Sequence, residues 1–277
     1  MIIKNSGNGG KNTKMIEFDN RQYSFHHTVD TPKMDGFHRH MHNGYEILYF
    51  LQGDAEYIIE GSVYRLKPRD LLFIHPRTFH YLNPLTDATY ERFVIHFPEE
   101  KIPESLRGFA KDSKEIYRVP KGSLADRFFE FWAEAEREMT CDDLRLLLYP
   151  SVAPALLALR YLPAEATVAP IRENRTLESI LRYIDEHPEK KLTAETLSAE
   201  FYMSTSWIVH TFRKNLGISL MQYIEKKRIL YAESLIRGGE APTEVAKLCS
   251  YDSYSTFYRQ YKKTLGHAPQ ADSVVKG

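Results

Sequence analysis

Two cysteines are all that the 277 residues contain. Cys141 and Cys249 stand far apart and outside any CxxC pattern, which excludes a disulfide scaffold and reads as two ordinary thiols of a reducing compartment. Net charge is missing as well: 37 Lys and Arg balance 37 Asp and Glu, so the whole chain carries no electrostatic pointer to nucleic acid or membrane. No apolar run is long enough for a bilayer. The longest, LLLYPSVAPALLAL at 146–159, has about 14 residues where roughly 20 are needed, and Pro150 and Pro154 interrupt it. The opening MIIKNSGNGGKNTKMIEF has no apolar signal-like core, so residues 1–24 read as a flexible lead-in and the protein as cytoplasmic. A phosphate loop, a Ser-His-Asp set and a nucleophilic cysteine context are also lacking, and an enzyme is not expected.

What is present fits two domains of ordinary size. Apolar residues at 43% and charged residues at 27% are the balance of a soluble globular chain that can bury its own cores. Over 44–97 the pattern alternates in short stretches: GYEILYFLQG, DAEYIIEG, VYRLKPRD, LLFIHP and TYERFVIHF. Gly53-Asp54, Gly61 and Pro68 punctuate them, as in a small sandwich or barrel. From about 103 the period becomes helical, with ESLRGFAK, SLADRFFEFWAEAEREM and DLRLLLYPSVAPALLALRYL. Residues 163–175, PAEATVAPIRENR, read as a linker, and beyond them everything is helical. This gives an α+β chain of two domains, a barrel followed by helices over 25–162 and an all-α domain over 176–272.

The all-α part holds an internal repeat. FRKNLG at 212–217 recurs as YKKTLG at 261–266, and at the same offset Ser204 matches Ser253 and Glu195 matches Glu244. Each copy has a short helix, a break, a Ser N-cap and a second helix ending at Leu-Gly, which describes a helix-turn-helix. The stretch 219–238 between the copies predicts a helix of roughly 18 residues, about 27 Å long. That separation would set the two second helices about 34 Å apart, one turn of DNA. A helical-repeat array normally needs at least three copies, so two copies favour DNA binding.

If Ile208, Thr211 and Phe212 form the buried stripe of the first second helix, then Thr205, Ser206, Val209, His210 and Arg213 face outward. In the second copy Phe257 and Tyr261 are the stripe, and Tyr254, Ser255, Tyr258, Arg259 and Lys262 form the face. Arg259 occupies the position equivalent to His210. Arginine reaches guanine bidentately, Ser, Thr and His offer single hydrogen bonds, and Val209 suits a thymine methyl. Lys214, Lys262 and Lys263 at the helix ends suit phosphate contacts. Tyr254 and Tyr258 fit packing within the domain equally well.

These residues, LTAETLSAEFYMSTSWIVHTFRKNLGISLMQYIEKKRILYAESLI and TEVAKLCSYDSYSTFYRQYKKTLGHAP, resemble the AraC/XylS family of transcription regulators. The resemblance implies two helix-turn-helix units on adjacent major-groove segments, a homodimer, contact with RNA polymerase and an activator role. Ser250 stands where the second turn usually has glycine, Ser198 where the first helix usually has alanine, and Pro242 at a position usually apolar, where it suits N1.

HRHMHNGYEILYFLQG at 38–53 places His38, His40 and His42 at alternate positions with Glu46 in the same parity, so on one strand all four would share a face. This half resembles the cupin-like sensor domain of such regulators, which implies a small-molecule pocket, with carbohydrate as the effector class. His38, His40, His42, Tyr45, Glu46 and His80 are its candidate residues, and Tyr45, Tyr49, Tyr57 and Phe79 suit stacking on a sugar ring. His40-x-His42-xxx-Glu46-xxxxxx-Gly53 also matches the first motif of metal-binding cupins, and PRTFH supplies His80 in place of the second. A divalent metal on His40, His42, Glu46 and His80 is therefore the alternative to a pocket with no cofactor, and a metal-dependent cupin enzyme fused to a DNA module is the alternative function. Hydrogen-bonded structure at the barrel mouth is a third reading of the histidines, and a barrel that serves only dimerisation a third reading of the domain. His26, His27, His75 and His96 are too scattered to interpret.

Overall fold

The structure, a computed structural model, describes residues 12–18, 23–31 and 39–271. The chain divides into two units, Met1–Arg172 and Glu173–Gly277.

The first unit carries β1 (Asn12–Phe18), β2 (Tyr23–Asp30), β3 (Tyr45–Gln52), β4 (Ala55–Ile59), β5 (Ser62–Arg65), β6 (Asp70–Ile74), β7 (His80–Pro84), β8 (Tyr90–Phe97), α1 (Glu104–Asp112), β9 (Ile116–Arg118), α2 (Leu124–Glu138), α3 (Cys141–Leu148) and α4 (Val152–Arg160). One sheet runs β1-β2-β8-β3-β6-β9 and the other β5-β4-β7, all pairs antiparallel. Strict alternation on β3 divides its side chains between two cores. Leu48 and Phe50 turn inward and join Tyr57, Ile59, Leu72, Leu82 and Val94 between the sheets. Tyr45, Ile47 and Tyr49 turn outward and pack with Phe25, Phe93, Phe129, Trp132, Leu148 and Leu156 under the helices. Trp132 is fully buried and stacks on Phe25 at 4.6 Å, so the helices cover the sheet through aromatic packing.

Several expectations change here. The lead-in 1–24 is not free chain throughout: residues 12–18 form β1 against β2, and Tyr23 and Ser24 already belong to β2, while 1–11 and 19–22 lie outside the described residues. β2, β7 and β9 were not legible as strands, and PRTFH ends in the first residue of β7. DLRLLLYPSVAPALLALRYL is two helices, broken at Tyr149–Ser151 where Pro150 cannot supply a backbone N–H. The expected linker 163–175 is held against the barrel: Thr167 bridges Tyr117, Arg172 bridges Val63, and Ala166 is buried.

His27, on the outward face of β2, ties the sheet to α2. Its Nδ1 lies 2.5 Å from Glu136 and its Nε2 2.9 Å from Glu91. Burial opposes the charged ring, but the bonds from Glu136 and then Glu91 outweigh it and raise the pKa. The stabilisation is therefore complete below the unfolded value of about 6.5 and fades as pH rises through the higher native value. The melting-temperature difference between wild type and His27→Gln is expected to shrink as pH rises above about 6.5. A difference that stays flat, or grows with pH, would refute the clasp.

The second unit contains α5 (Arg175–Glu186), α6 (Ala194–Phe201), α7 (Thr205–Leu216), α8 (Leu220–Arg237), α9 (Pro242–Leu248) and α10 (Tyr254–Leu265). The 49-residue repeat is reproduced to the residue in α7 and α10. Each starts after a serine N-cap, Ser204 or Ser253, whose side chain accepts from the third backbone N–H, and each ends at a left-handed glycine, Gly217 or Gly266. α8 opens on a capping box of Ser219 and Gln222 and runs the expected length. Pro242 stands at N1 of α9. The turns reach φ > 0 at Tyr202 in the first copy and at Ser250 in the second.

Candidate functional site

The barrel cluster is built on Glu46, the second residue of β3, whose side chain turns inward and is 4% exposed. Gly44 makes its placement feasible, because a Cβ there would meet the Phe97 carbonyl at 3.0 Å. The same Gly44 carbonyl lies 2.9 Å from His42 Nδ1, fixing that ring with its Nε2 3.1 Å from Glu46 Oε2. His80 enters from β7, where backbone bonds in both directions with His40 hold the two segments together. His80 is fully buried; its Nδ1 donates to the Thr78 carbonyl at 2.8 Å and its Nε2 stands 3.4 Å from Glu46 Oε2 without a hydrogen bond. His40 packs edge-on against His80 at 4.2 Å between ring centres. One ligand atom from each of His40, His42, Glu46 and His80 falls within 4.8 Å of every other.

Two further histidines belong here. β3 and β8 pair with Glu46 opposite His96, so His96 Nε2 reaches Glu46 Oε2 at 2.9 Å. Ser24 Oγ then connects His96 Nδ1, at 3.2 Å, to His26 Nε2, at 2.9 Å. The alternation in TYERFVIHF was a signal that His96 shares a face with Val94, but nothing local shows which residue of β3 lies across from it. Burial alone would raise the Glu46 carboxyl; the charge of His96 and the bond from His42 hold it well below the ordinary carboxylate range. Burial pushes His42 down, and pushes His26 down to about 4 with the help of His96. The cluster is therefore a buried carboxylate ringed by imidazoles.

The other candidates divide. His38 lies outside the described residues. Tyr45 is removed from the pocket: one residue from Glu46, it points the opposite way and stacks on Phe97 at 5.8 Å and 12° in the outer core. Tyr49 likewise bonds Asp126 and stacks on Phe129, and Phe79 is fully buried, so neither is open at a mouth. Tyr57 stays in the inner core, nearly parallel to the His80 ring.

On α7, Ile208, Thr211, Phe212 and Leu216 are buried, while Ser206, Val209, His210, Arg213 and Lys214 are exposed and Thr205 is half-buried. Val209 is 46% exposed, unusual for an apolar residue with a core beside it. On α10, Phe257 and Tyr261 are buried and Ser255, Arg259, Lys262 and Lys263 exposed. Tyr254 and Tyr258 are half-buried, and Tyr254 packs against Phe257 and accepts from the Gln270 amide. The two helices thus present polar and basic faces at the same phase of the repeat.

Residues 25–148 match the family described as the AraC-like ligand binding domain, and residues 197–272 match a helix-turn-helix domain. The HTH-type transcriptional regulator YijO of Escherichia coli is 24% identical over 78% of this chain and 77% of its own length. The arabinose operon regulatory protein of the same organism is 23% identical over 82% of this chain and 79% of its own. ToxT of Vibrio cholerae, a solved structure, aligns over 97% of this chain and 98% of its own at 15% identity, with a TM-score of 0.40. No helix among the described residues is long and apolar enough to cross a membrane.

Proposed function

The chain belongs to the AraC/XylS family, a DNA-binding transcription regulator with a ligand-binding domain, and on that premise we propose which residues read DNA and which sense the effector. The reading of DNA rests on one observation: α7 and α10, 49 residues apart in phase, bury matching stripes and expose matching polar faces. In this reading Ser206, Val209, His210 and Arg213 of α7 and Ser255 and Arg259 of α10 meet base edges, with Thr205, Tyr254 and Tyr258 at the margins. Lys214, Lys262 and Lys263 hold phosphates.

Arg259→Ala is expected to cost about 1–3 kcal/mol of specific affinity and to relax preference at one base pair. Lys262→Ala is expected to weaken all sequences alike and to lower the salt slope by about 1. Binding titrations on operator and random duplexes at several salt concentrations separate the two. Equal loss on both duplexes for Arg259→Ala would reduce that residue to a phosphate contact.

The effector pocket in this reading is the cluster of His40, His42, Glu46 and His80, widened by His96. Its lining is hydrogen-bonding throughout, which suits a hydroxyl-rich molecule, and we assign carbohydrate as the class. The name of the arabinose operon relatives accords with that choice. The exposed apolar residues Leu124, Phe131, Leu146 and Leu157 on α2, α3 and α4 supply a surface for homodimerisation. A cytoplasmic activator that engages RNA polymerase completes the reading. Melting the purified protein against a panel of sugars tests it, and a panel without any shift would overturn the carbohydrate assignment.

A further inference from the structure

We infer that Ser250, with Arg228 behind it, ties the two helix-turn-helix copies together and so sets the spacing accepted between the two DNA segments. The inference rests on the proposal that α7 and α10 both read DNA.

The repeat departs from itself at the turn. At the 49-residue offset Tyr202 matches Tyr251, yet Tyr202 is 94% exposed. Tyr251 is half-buried instead, with its ring edge-on to Phe257 at 5.2 Å and its hydroxyl donating to Glu225 of α8 at 2.7 Å. The left-handed residue moves too, from Tyr202 in the first turn to Ser250 in the second, one position earlier in the repeat. Ser250 is held at φ 58, a conformation that glycine adopts freely and a residue with a Cβ does not. What that conformation delivers is a contact outside its own copy. The Ser250 hydroxyl donates to the Glu189 carbonyl at 2.6 Å, and Glu189 lies in the loop from α5 into α6.

A second tie ends on the next residue of that loop. Arg228 of α8, only 8% exposed, donates from Nη2 to the Lys190 carbonyl at 2.9 Å. Its guanidinium also lies over the Tyr251 ring, 5.8 Å from the centroid, and 3.8 Å from Glu225. Lys191 and Asp252 add an ion pair at 3.4 Å, too exposed to contribute much. Residues 189–191 thus meet 250–252 directly or through Arg228.

The shared helix α8 sets the distance between the copies. The apolar cluster of the second copy, built on Ile229, Ala232, Ile236, Val245, Phe257 and Tyr261, takes in no residue of α5, α6 or α7. Rotation of one copy against the other is therefore resisted by the polar ties. One base pair added or removed between two DNA segments displaces them by about 3.4 Å and turns one against the other by about 35°. Tied copies must break their bonds or release one segment to follow that change. Untied copies rotate.

A duplex enriched from a random pool by the full-length wild-type protein supplies the probe, and footprinting locates the two segments that one chain protects. Two derivatives carry one base pair more or one fewer midway between them. Wild type is expected to bind either derivative at least about 10-fold more weakly than the parent. Ser250→Gly should bind the parent as wild type does and reduce that spacing penalty about fivefold, the worth of one ordinary hydrogen bond. It should also melt close to wild type, because relief of the left-handed serine offsets the lost bond. A merely structural role would do the reverse, moving the melting temperature and leaving the penalty. Arg228→Lys, which keeps the charge without the fork, should reduce the penalty as well and melt lower. Wild type indifferent to spacing, or Ser250→Gly with the wild-type penalty, overturns the tie alone. A single protected segment per chain would overturn the two-segment reading and this inference with it.

Discussion

Phe257→Ala is expected to remove DNA binding altogether while leaving the barrel intact. Phe257 is fully buried at the centre of a cluster made by Ile229, Ala232 and Ile236 of α8, Val245, Ala246 and Cys249 of α9, and Tyr261 of α10. A phenylalanine-to-alanine change in such a place costs about 3–5 kcal/mol, the transfer of the ring plus the cavity it leaves. A domain's whole stability is typically about 5–15 kcal/mol, so this half of the helical unit should open in a large fraction of molecules. α10 then no longer holds Arg259 and Ser255 at the phase that α7 mirrors, and a site of two adjacent segments loses one of its readers. DNA titration together with amide-exchange protection over 240–266 measures it. Affinity within about three-fold of wild type together with unchanged protection over 240–266 would mean the cluster closes around the cavity, since it is the opened form that fails to bind. Barrel amides, in the other unit, should be protected as before.

The second large effect is the loss of effector response in the His40→Ala, His42→Ala double variant. A ligand at 100 times its dissociation constant stabilises the form that binds it by about 2.7 kcal/mol, roughly 5–11 °C in melting temperature for a unit of this size. Removing both imidazoles takes away the His42 contact with Glu46 and the His40 edge against His80, so that shift should vanish. Because His42 also bonds the Gly44 carbonyl, the variant will start from a lower melting temperature, and the ligand-induced difference is the quantity to compare. DNA affinity without effector should stay the same, since the proposed reading faces belong to the other unit. A response that persists would move the effector away from this cluster. Lost DNA affinity without effector would show that the histidines act on the DNA-binding unit's fold rather than on ligand.

Different parts of the molecule were legible to different depths. In α7 and α10, caps, length and buried stripe are consequences of residues at most four apart, and the repeat states them twice. Ser204 and Ser253 begin the helices, Gly217 and Gly266 end them, and Ile208, Phe212, Phe257 and Tyr261 lie where a period of 3.6 puts them. The barrel was harder. β2 hides its outward Tyr23 and Phe25 among polar neighbours, and β1 is seven residues of mixed character whose strand state depends on the edge of β2. The segment 163–175 has the composition of a linker, yet two bridges to β5 and β9 bind part of it to the barrel.

The sequence by itself determined the two-unit plan and the helix-turn-helix repeat with its exposed faces, whereas the single strand expected to carry His40, His42 and Glu46 did not form: β3 begins at Tyr45, and His40 and His42 come from the segment before it. The repeat and its faces are local, and periodicity within one element carries them. Only the tertiary structure decided that Tyr45 belongs to the outer core, that His80 closes the cluster from β7, and that His96 and His26 join it from β8 and β2. The reason is antiparallel pairing: Glu46 and His96 are fifty residues apart and meet because the β3–β8 register sets them opposite one another. That register is selected by the packing of both sheet faces at once, the inner core on one side and the aromatic layer under α2 and α4 on the other, and no single stretch of chain contains it.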